Sequence, residues 1–161
     1  MQASVPNSDA RPVAFVTGAS YGIGAACALA LARDGYDIAL AATRIENLAK
    51  TVEILKATGR RVVPVALDLN SQTSIEQAMA AVISALGRAD LLVNNAAANI
   101  RKKAVDVTPD EWNAQLRVNL TGTFFLTQQM GRHLIAAKRP GAIISVTSVH
   151  GMIGAADNWR G

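Results

Sequence analysis

A glycine-rich stretch at residues 17–24, Thr-Gly-Ala-Ser-Tyr-Gly-Ile-Gly, constrains the fold of this chain more than any other feature. The apolar residues before it, 13–16, are predicted to form a buried strand, and the alanine-rich segment after it a helix. Because glycine has no Cβ, an anion can approach the backbone of such a turn and face the first N–H groups of the helix. The stretch therefore indicates a phosphate-binding turn. Taken alone, the stretch is also compatible with a second interpretation, a tight strand-to-helix turn that binds no ligand.

The rest of the chain alternates predicted strands with predicted helices. Three helices are expected to end at Gly35, Gly59 and Gly87, and the last helix has a capping-box sequence beginning at Thr108. Pro64 cannot donate a hydrogen bond to a neighbouring strand, so the third strand is expected at a sheet edge. The predicted strands cover about 13–17, 37–42, 62–67, 90–94 and 142–147, and the predicted helices about 22–34, 45–58, 71–86 and 109–137.

Strict alternation of this kind predicts an α/β fold, a doubly wound parallel sheet with right-handed crossovers. The expected strand order is 3-2-1-4-5, with ligands bound outside the carboxyl ends of the strands, near the switch between strands one and four. The sheet is expected to be incomplete at its C-terminus. Residues 1–161 are interpreted as one domain, with a flexible N-terminus at residues 1–12.

Composition narrows the classes of function. The net charge of +4 comes without a long basic run, so nucleic-acid binding is not expected. The single cysteine, Cys27, cannot form an internal disulfide, which favours a reducing, cytoplasmic location. No apolar run approaches the length needed to span a bilayer, and no cluster of residues has metal-ligand spacing. A protein without membrane, nucleic-acid or metal partners is therefore predicted.

Five motifs occur in one order along nearly the whole chain: residues 17–24, 68–69, 94–97, 118–122 and 143–148. In sequence and spacing they resemble the short-chain dehydrogenases/reductases. The resemblance implies a Rossmann fold and an oxidoreductase that transfers a hydride between a nicotinamide cofactor and a small-molecule carbonyl or secondary alcohol. It also implies that the parent enzyme is a homotetramer or homodimer.

The resemblance assigns roles to individual residues. Asp68 would bond the adenine amine, Asn94 would brace the sheet, Asn119 would help hold a proton-relay water, and Ser148 would donate to the reacting oxygen of the substrate. The plainer alternatives are a helix cap for Asp68, a surface polar residue for Asn119 and a turn former for Ser148. The expected catalytic residues are Ser148 and Asn119, and the expected cofactor-binding residues are Gly18, Ser20, Tyr21, Gly22, Ile23, Gly24, Thr43, Arg44, Asp68, Leu69, Asn95, Ala96 and Ala97.

The choice of cofactor is predicted from the end of the second strand. Enzymes that use NAD place an acidic residue there to bond the ribose hydroxyls. This chain has Ala42, Thr43 and Arg44 at that place, and Asp37 stands at the other end of the strand. Because Arg44 and Thr43 could bind a 2′-phosphate, NADP is predicted in preference to NAD. The alternative is that Arg44 is a solvated residue that starts a helix.

A function from another class also matches the glycine-rich stretch. Gly18, Ser20 and Gly22 fit the G-x-S-x-G nucleophile elbow of hydrolases, with His133 or His150 as the base. The fit is poor, because an elbow after the first strand leaves no earlier segment for the oxyanion loop. We instead expect His133 to be an exposed helix residue and His150 a loop residue bordering the substrate site.

The chain departs from the family pattern at the Tyr-x-x-x-Lys pair, which begins about a dozen residues after the serine in the family. The tyrosines here are Tyr21 and Tyr36, and neither has a lysine four residues later. The chain is therefore expected to be a truncated cofactor-binding portion of an NADP-dependent reductase, without turnover. The alternative is a short protein that binds nucleotide without catalysis. Residues 99–102 and 148–151 look like the sugar-acid branch, with oxoacyl-thioester reductases as the competing class.

Overall fold

The computed structural model describes residues 11–149 and 152–153, and it is organised around a parallel sheet. The strand order is β3-β2-β1-β4-β5, which confirms the predicted doubly wound fold and its order 3-2-1-4-5. Pro64 lies in the edge strand, as expected, opposite Leu40. The strands are β1 (Val13–Thr17), β2 (Asp37–Ala42), β3 (Val62–Ala66), β4 (Leu91–Asn94) and β5 (Ala142–Ser145).

Helices cover both faces of this sheet, because alternate residues of each strand point to opposite sides. On one face Val13 and Phe15 pack with α3 and α5, and on the other Ala14 and Val16 pack with α1 and α2. In the described part of the chain no helix is both long and apolar enough to cross a membrane. The helices are α1 (Gly22–Arg33), α2 (Ala49–Lys56, after a 3-10 turn at Ile45–Leu48), α3 (Gln72–Leu86), α4 (Pro109–Leu116) and α5 (Thr123–Ala137).

The predicted helix at 109–137 begins and ends at those residues, but its middle is π-helical rather than α-helical. A π-helical turn, Arg117–Gly122, separates α4 from α5. The start of the helix is confirmed: the Thr108 hydroxyl accepts the N–H of Glu111, and the Glu111 carboxylate accepts the N–H of Thr108. The wider turn brings the backbone of Gly122 against Leu69, where an added Cβ would lie 2.7 Å from the Leu69 Cβ. A regular helical period was predicted because nothing in the local sequence marks this tertiary contact.

The two ends of the chain are described only in part. Residues 1–10, which make up most of the predicted flexible N-terminus, lie outside the described residues, but the Pro12 carbonyl accepts the N–H of Asp37 at 2.9 Å. At the other end, β5 finishes at Ser145 rather than at residue 147. The pairing with β4 nevertheless continues, because the Val146 N–H donates to the Asn94 carbonyl at 2.9 Å. His150 lies outside the described residues.

Candidate functional site

A cavity of about 550 Å³ opens at the carboxyl ends of the strands, beside the glycine-rich stretch. It lies where the strand order predicts a ligand, at the switch between β1 and β4. Eleven of the predicted site residues line it: Gly18, Ser20, Tyr21, Gly22, Ile23, Thr43, Asp68, Leu69, Asn95, Ala96 and Ala97. Residues far apart in sequence therefore converge on one space large enough for a small ligand.

Four predicted site residues are not among those lining the cavity. Gly24 is buried in the first turn of α1, and Arg44 is exposed just before the 3-10 turn. Asn119 lies in the π-helical turn, and Ser148 is exposed three residues beyond the end of β5. Several residues that line the cavity had no predicted role, among them Asn47, Asn70, Ala98 and Val118. Asn70 and Ala98 each follow a motif directly, and Val118 is an apolar position within one, so none of the three carries a chemical signal of its own. Asn47 lies outside the motifs.

The hydroxyl of Thr17 joins the end of β1 to the end of β4. It donates to the Val93 carbonyl at 3.2 Å and accepts the N–H groups of Asn95 and Ala96, each at 3.0 Å. Thr17 is 1% exposed, so these bonds are shielded from water. This shared hydroxyl explains the threonine of the glycine-rich stretch, for which the sequence analysis had no role.

Side chains and neighbouring strands also hold the backbone of the glycine-rich turn. The Asn95 amide donates to the Thr17 carbonyl at 3.0 Å and to the Gly18 carbonyl at 3.1 Å. The Ala19 N–H donates to the Ala41 carbonyl of β2 at 3.1 Å. With these contacts the turn is preorganised, and a ligand would not have to order it on binding.

The start of α1 suits an anion. Tyr21 is its N-cap and makes no side-chain cap hydrogen bond, and no acidic residue lies in the first turn. By contrast, the hydroxyls of Ser71 and Thr108 cap α3 and α4. Gly22 has φ +59° and nothing within 4 Å of an added Cβ, so its surface stays open. The uncapped N–H groups and the open glycine fit the diphosphate of a dinucleotide.

Asp68 also lines the cavity. Its Oδ1 accepts the main-chain N–H and the side-chain amide of Asn70, each at 2.9 Å. Its own N–H donates to the Ser74 hydroxyl at 2.9 Å. Ser71, and not Asp68, is the N-cap of α3, so the alternative of a helix cap for Asp68 is wrong. The carboxylate is exposed and held in place, as an acceptor for a ligand amine would be.

Two asparagines connect β4 and the segment after it to the helices. The buried Asn94 donates from its amide to the Thr127 hydroxyl of α5 at 3.0 Å, which agrees with its expected bracing role. Asn119 makes a two-way contact with Ala98: its Oδ1 accepts the Ala98 N–H and its Nδ2 donates to the Ala98 carbonyl, both at 2.8 Å. π-Helical turns are frequent at functional sites. Here the turn places Asn119 against Ala98, which follows β4 and lines the cavity.

His133 is partly buried, which corrects the expectation of an exposed helix residue. Its Nε2 accepts the N–H of Ala89 at 3.2 Å. Ala89 precedes β4, whereas Ser20 follows β1, and the two strands are parallel. His133 therefore lies at the amino edge of the sheet and Ser20 at the carboxyl edge, which removes His133 as the base of a Ser20 hydrolase. The other proposed base, His150, lies outside the described residues.

The His133 contact predicts a pH dependence of stability. Burial lowers the pKa of His133 below its ordinary value of 6.5, and the charges of Arg139 and Arg88 lower it further, against an opposing effect of Asp90. As the pH falls, His133 therefore takes up its proton at a higher pH in the unfolded chain than in the folded chain. The contribution of neutral His133 to the free energy of unfolding is present above pH 6.5 and is lost as the pH falls below it. We expect the free energy of unfolding in urea to fall more steeply for wild type than for His133→Gln, which keeps an acceptor but does not titrate. Parallel curves from about pH 7.5 to about pH 5.5 would contradict this.

No group of three His, Cys, Asp or Glu side chains is placed to hold a metal ion within residues 11–149 and 152–153.

A family model described as short chain dehydrogenase matches residues 12–158. A short-chain dehydrogenase/reductase of Armillaria gallica is 36% identical over 144 residues, which is 88% of this chain and 55% of that protein. The chain thus spans about half the length of the curated relatives it matches.

Solved structures agree with the sequence relatives. A metagenomic short-chain oxidoreductase in complex with NADP has a TM-score of 0.82 and 37% identity, over 91% of this chain and 66% of that one. A 3-oxoacyl-(acyl-carrier protein) reductase from Brucella melitensis in complex with NAD has a TM-score of 0.83 and 33% identity, over 90% of this chain and 58% of that one. Structures similar to this chain therefore hold one or the other nicotinamide dinucleotide.

Proposed function

The chain belongs to the short-chain dehydrogenases/reductases, a family of oxidoreductases, and from that membership we propose that it binds NADP for hydride transfer to or from a small molecule. The observation that carries the proposal is the start of α1, where the N–H groups have no side-chain cap and Gly22 leaves the surface open. Two other helices, α3 and α4, begin instead at a capping hydroxyl, and α1 differs from them in leaving its first N–H groups to a ligand. The substrate class is a carbonyl compound or secondary alcohol, of the sugar-acid or oxoacyl type.

The residues that line the cavity, together with Arg44 next to Thr43, would each bind a different part of the dinucleotide. The turn from Gly18 to Gly22 and the first N–H groups of α1 would hold the diphosphate. The Asp68 carboxylate would accept from the adenine amine, and Thr43 and Arg44 would meet the 2′-phosphate. Ala96 and Ala97 would flank the cofactor near β4. When bound, the nicotinamide supplies the carbon that gives or takes the hydride.

In the proposed chemistry Ser148 donates a hydrogen bond to the reacting oxygen. The side chain of Asn119 holds the main chain of Ala98 in place. Carbonyl reduction also needs a proton donor with a suitably lowered pKa. The family pair Tyr-x-x-x-Lys is not in this sequence, and Tyr36 packs against the hydrophobic cluster on the α1 and α2 face. We therefore propose that residues 1–161, one NADP-binding domain, bind the dinucleotide without turnover. The first candidate is thus the dinucleotide-binding domain of an oxidoreductase, and the second is a protein that binds a nucleotide and takes part in no hydride transfer. A cytoplasmic homodimer or homotetramer is the setting we expect for the oxidoreductase.

The proposal predicts the cofactor selectivity of Arg44. Arg44→Asp replaces an attractive charge near the 2′-phosphate with a repulsive one, so NADPH affinity should fall about ten- to a hundred-fold. NADH has no 2′-phosphate, and its affinity should change by less than about three-fold. Both are measured by isothermal titration calorimetry on the purified chain.

The matched control for Arg44 is Arg132→Asp, which makes the same change of charge on the exposed surface of α5. It should leave both affinities at their wild-type values. Equal loss of NADPH and NADH affinity in Arg44→Asp would mean that Arg44 does not meet the 2′-phosphate. Binding of neither dinucleotide by the wild-type chain would contradict the proposed function itself.

A further inference from the structure

Side-chain donors hold three carbonyls of the glycine-rich turn. The Asn95 amide binds the carbonyls of Thr17 and Gly18, and the hydroxyl of Thr51 donates to the carbonyl of Ser20 at 3.1 Å. A carbonyl oxygen that faced the diphosphate would repel it. Donors that hold these oxygens therefore favour a turn whose N–H groups are left for the anion.

Thr51 reaches the turn from another element. It lies in the first turn of α2, thirty-one residues beyond Ser20, and is 4% exposed. A threonine hydroxyl in a helix commonly bonds a carbonyl one turn back in its own helix. Here it bonds the Ser20 carbonyl instead. The stiff β-branched side chain thus connects α2 directly to the backbone of the turn.

The bond also sets the direction of the next N–H group. The carbonyl of Ser20 and the N–H of Tyr21 belong to the same peptide group, and no described residue has a cis peptide bond. In a planar trans peptide the two groups point in opposite directions. By holding the Ser20 oxygen towards α2, Thr51 turns the Tyr21 N–H away from α2, in a segment whose residues line the cavity.

We propose that Thr51 is a positioning residue for dinucleotide binding, which holds the Ser20 carbonyl and so fixes the turn that receives the diphosphate. The inference rests on the proposed function, because it assigns Thr51 to the same cofactor. It adds a contact from α2, the helix that follows the segment Thr43 to Asn47 on the cavity wall.

The test compares Thr51→Val with Thr51→Ser and with a matched control. Thr51→Val keeps the shape and removes the hydroxyl, whereas Thr51→Ser keeps the hydroxyl. The control, Thr58→Val, removes a hydroxyl that donates to the Leu55 carbonyl at the far end of α2, outside the dinucleotide cavity. NADPH and adenosine 2′-monophosphate are titrated into each purified 161-residue chain by calorimetry, and thermal unfolding is followed in parallel.

We expect Thr51→Val to weaken NADPH binding about three- to ten-fold at unchanged stoichiometry. Adenosine 2′-monophosphate has no diphosphate, so its affinity should not change, and Thr51→Ser should restore most of the NADPH affinity. Thr58→Val should leave both affinities unchanged, although its thermal midpoint falls. If Thr51 had only a structural role, Thr51→Val would lower the affinities for both ligands together, or would lower only the fraction of the chain that binds ligand.

Three results would overturn the inference, and they are distinguishable. If wild type binds NADPH and Thr51→Val binds it equally well, Thr51 does not position the turn and the proposed function stands. If Thr51→Val loses affinity for both ligands in the same proportion, the effect is structural and the inference is again wrong. Wild-type chain that binds neither NADPH nor NADH would overturn the proposed function and the inference together.

Discussion

Replacing Gly24 with alanine is expected to lower the free energy of unfolding by about 1–3 kcal/mol and to abolish measurable NADPH binding. A Cβ on Gly24 would lie 2.5 Å from the Asn95 amide nitrogen and would also overlap the Gly18 carbonyl. The backbone oxygen cannot swing aside as a flexible side chain would. The turn and α1 must therefore separate, which displaces the N–H groups proposed to hold the diphosphate. Urea denaturation and NADPH calorimetry on the same preparation measure the two effects.

Gly131→Ala provides the matched control for this prediction. Gly131 also lies inside a helix, α5, but an added Cβ there would meet nothing within 4 Å. The same chemical change should therefore stabilise the chain by up to about 1 kcal/mol, because alanine favours a helix over glycine. NADPH affinity should stay at the wild-type value. A Gly24→Ala chain as stable as wild type and with full affinity would show that the close approach is not required.

Asp37→Ala is expected to cost about 2–4 kcal/mol of stability, the second large effect. The carboxylate is 1% exposed and accepts the main-chain N–H of Arg61 at 2.9 Å and its side-chain Nε at 2.7 Å. Arg61 also reaches the carbonyl of Leu86 at the end of α3. Alanine would remove a buried charged acceptor that joins the start of β2 to the start of β3. Urea denaturation at neutral pH measures the loss.

Two variants separate the causes of that loss. Asp37→Asn keeps an oxygen for the Arg61 N–H and removes only the charge, so its loss should be smaller than that of Asp37→Ala. Asp34→Ala makes the same chemical change at an exposed position, where the effect should stay within about 0.5 kcal/mol. If Asp37→Ala unfolds at the same urea concentration as Asp34→Ala, the contact of the buried Asp37 carboxylate with Arg61 does not stabilise the sheet.

The features that the sequence predicted correctly are those that local chemistry determines. Pro64 has no N–H to give a second neighbour, so it indicated an edge strand, and β3 lies at the edge. Thr108 and Glu111 carry a cap that depends only on residues three apart. The glycine-rich turn lies between a strand and a helix because its spacing allows little else. The convergence of eleven predicted residues on one cavity follows from the parallel order of the strands.

The features that were missed depend on contacts between distant segments. Asn119 bonds Ala98 across twenty-one residues, and His133 bonds Ala89 across forty-four. The π-helical turn accommodates the backbone of Leu69 against Gly122, more than fifty residues away. Thr51 sits in an unremarkable helical sequence, and its hydroxyl gains a role only once α2 packs against the turn. Periodicity and short motifs carry no information on which of several polar groups will meet in the folded chain.

Binding of a nicotinamide dinucleotide at the glycine-rich turn is tested most directly by NMR. NADPH is titrated into the ¹⁵N-labelled chain, and the amide chemical shifts are followed. We expect saturable one-to-one binding, with the largest shifts at Gly18, Gly22, Asp68 and Ala96, which line the cavity. Amides at the end of α5, such as that of Ala137, should not move. Saturation without any change at Gly18 and Gly22, or no change anywhere in the spectrum, would contradict it.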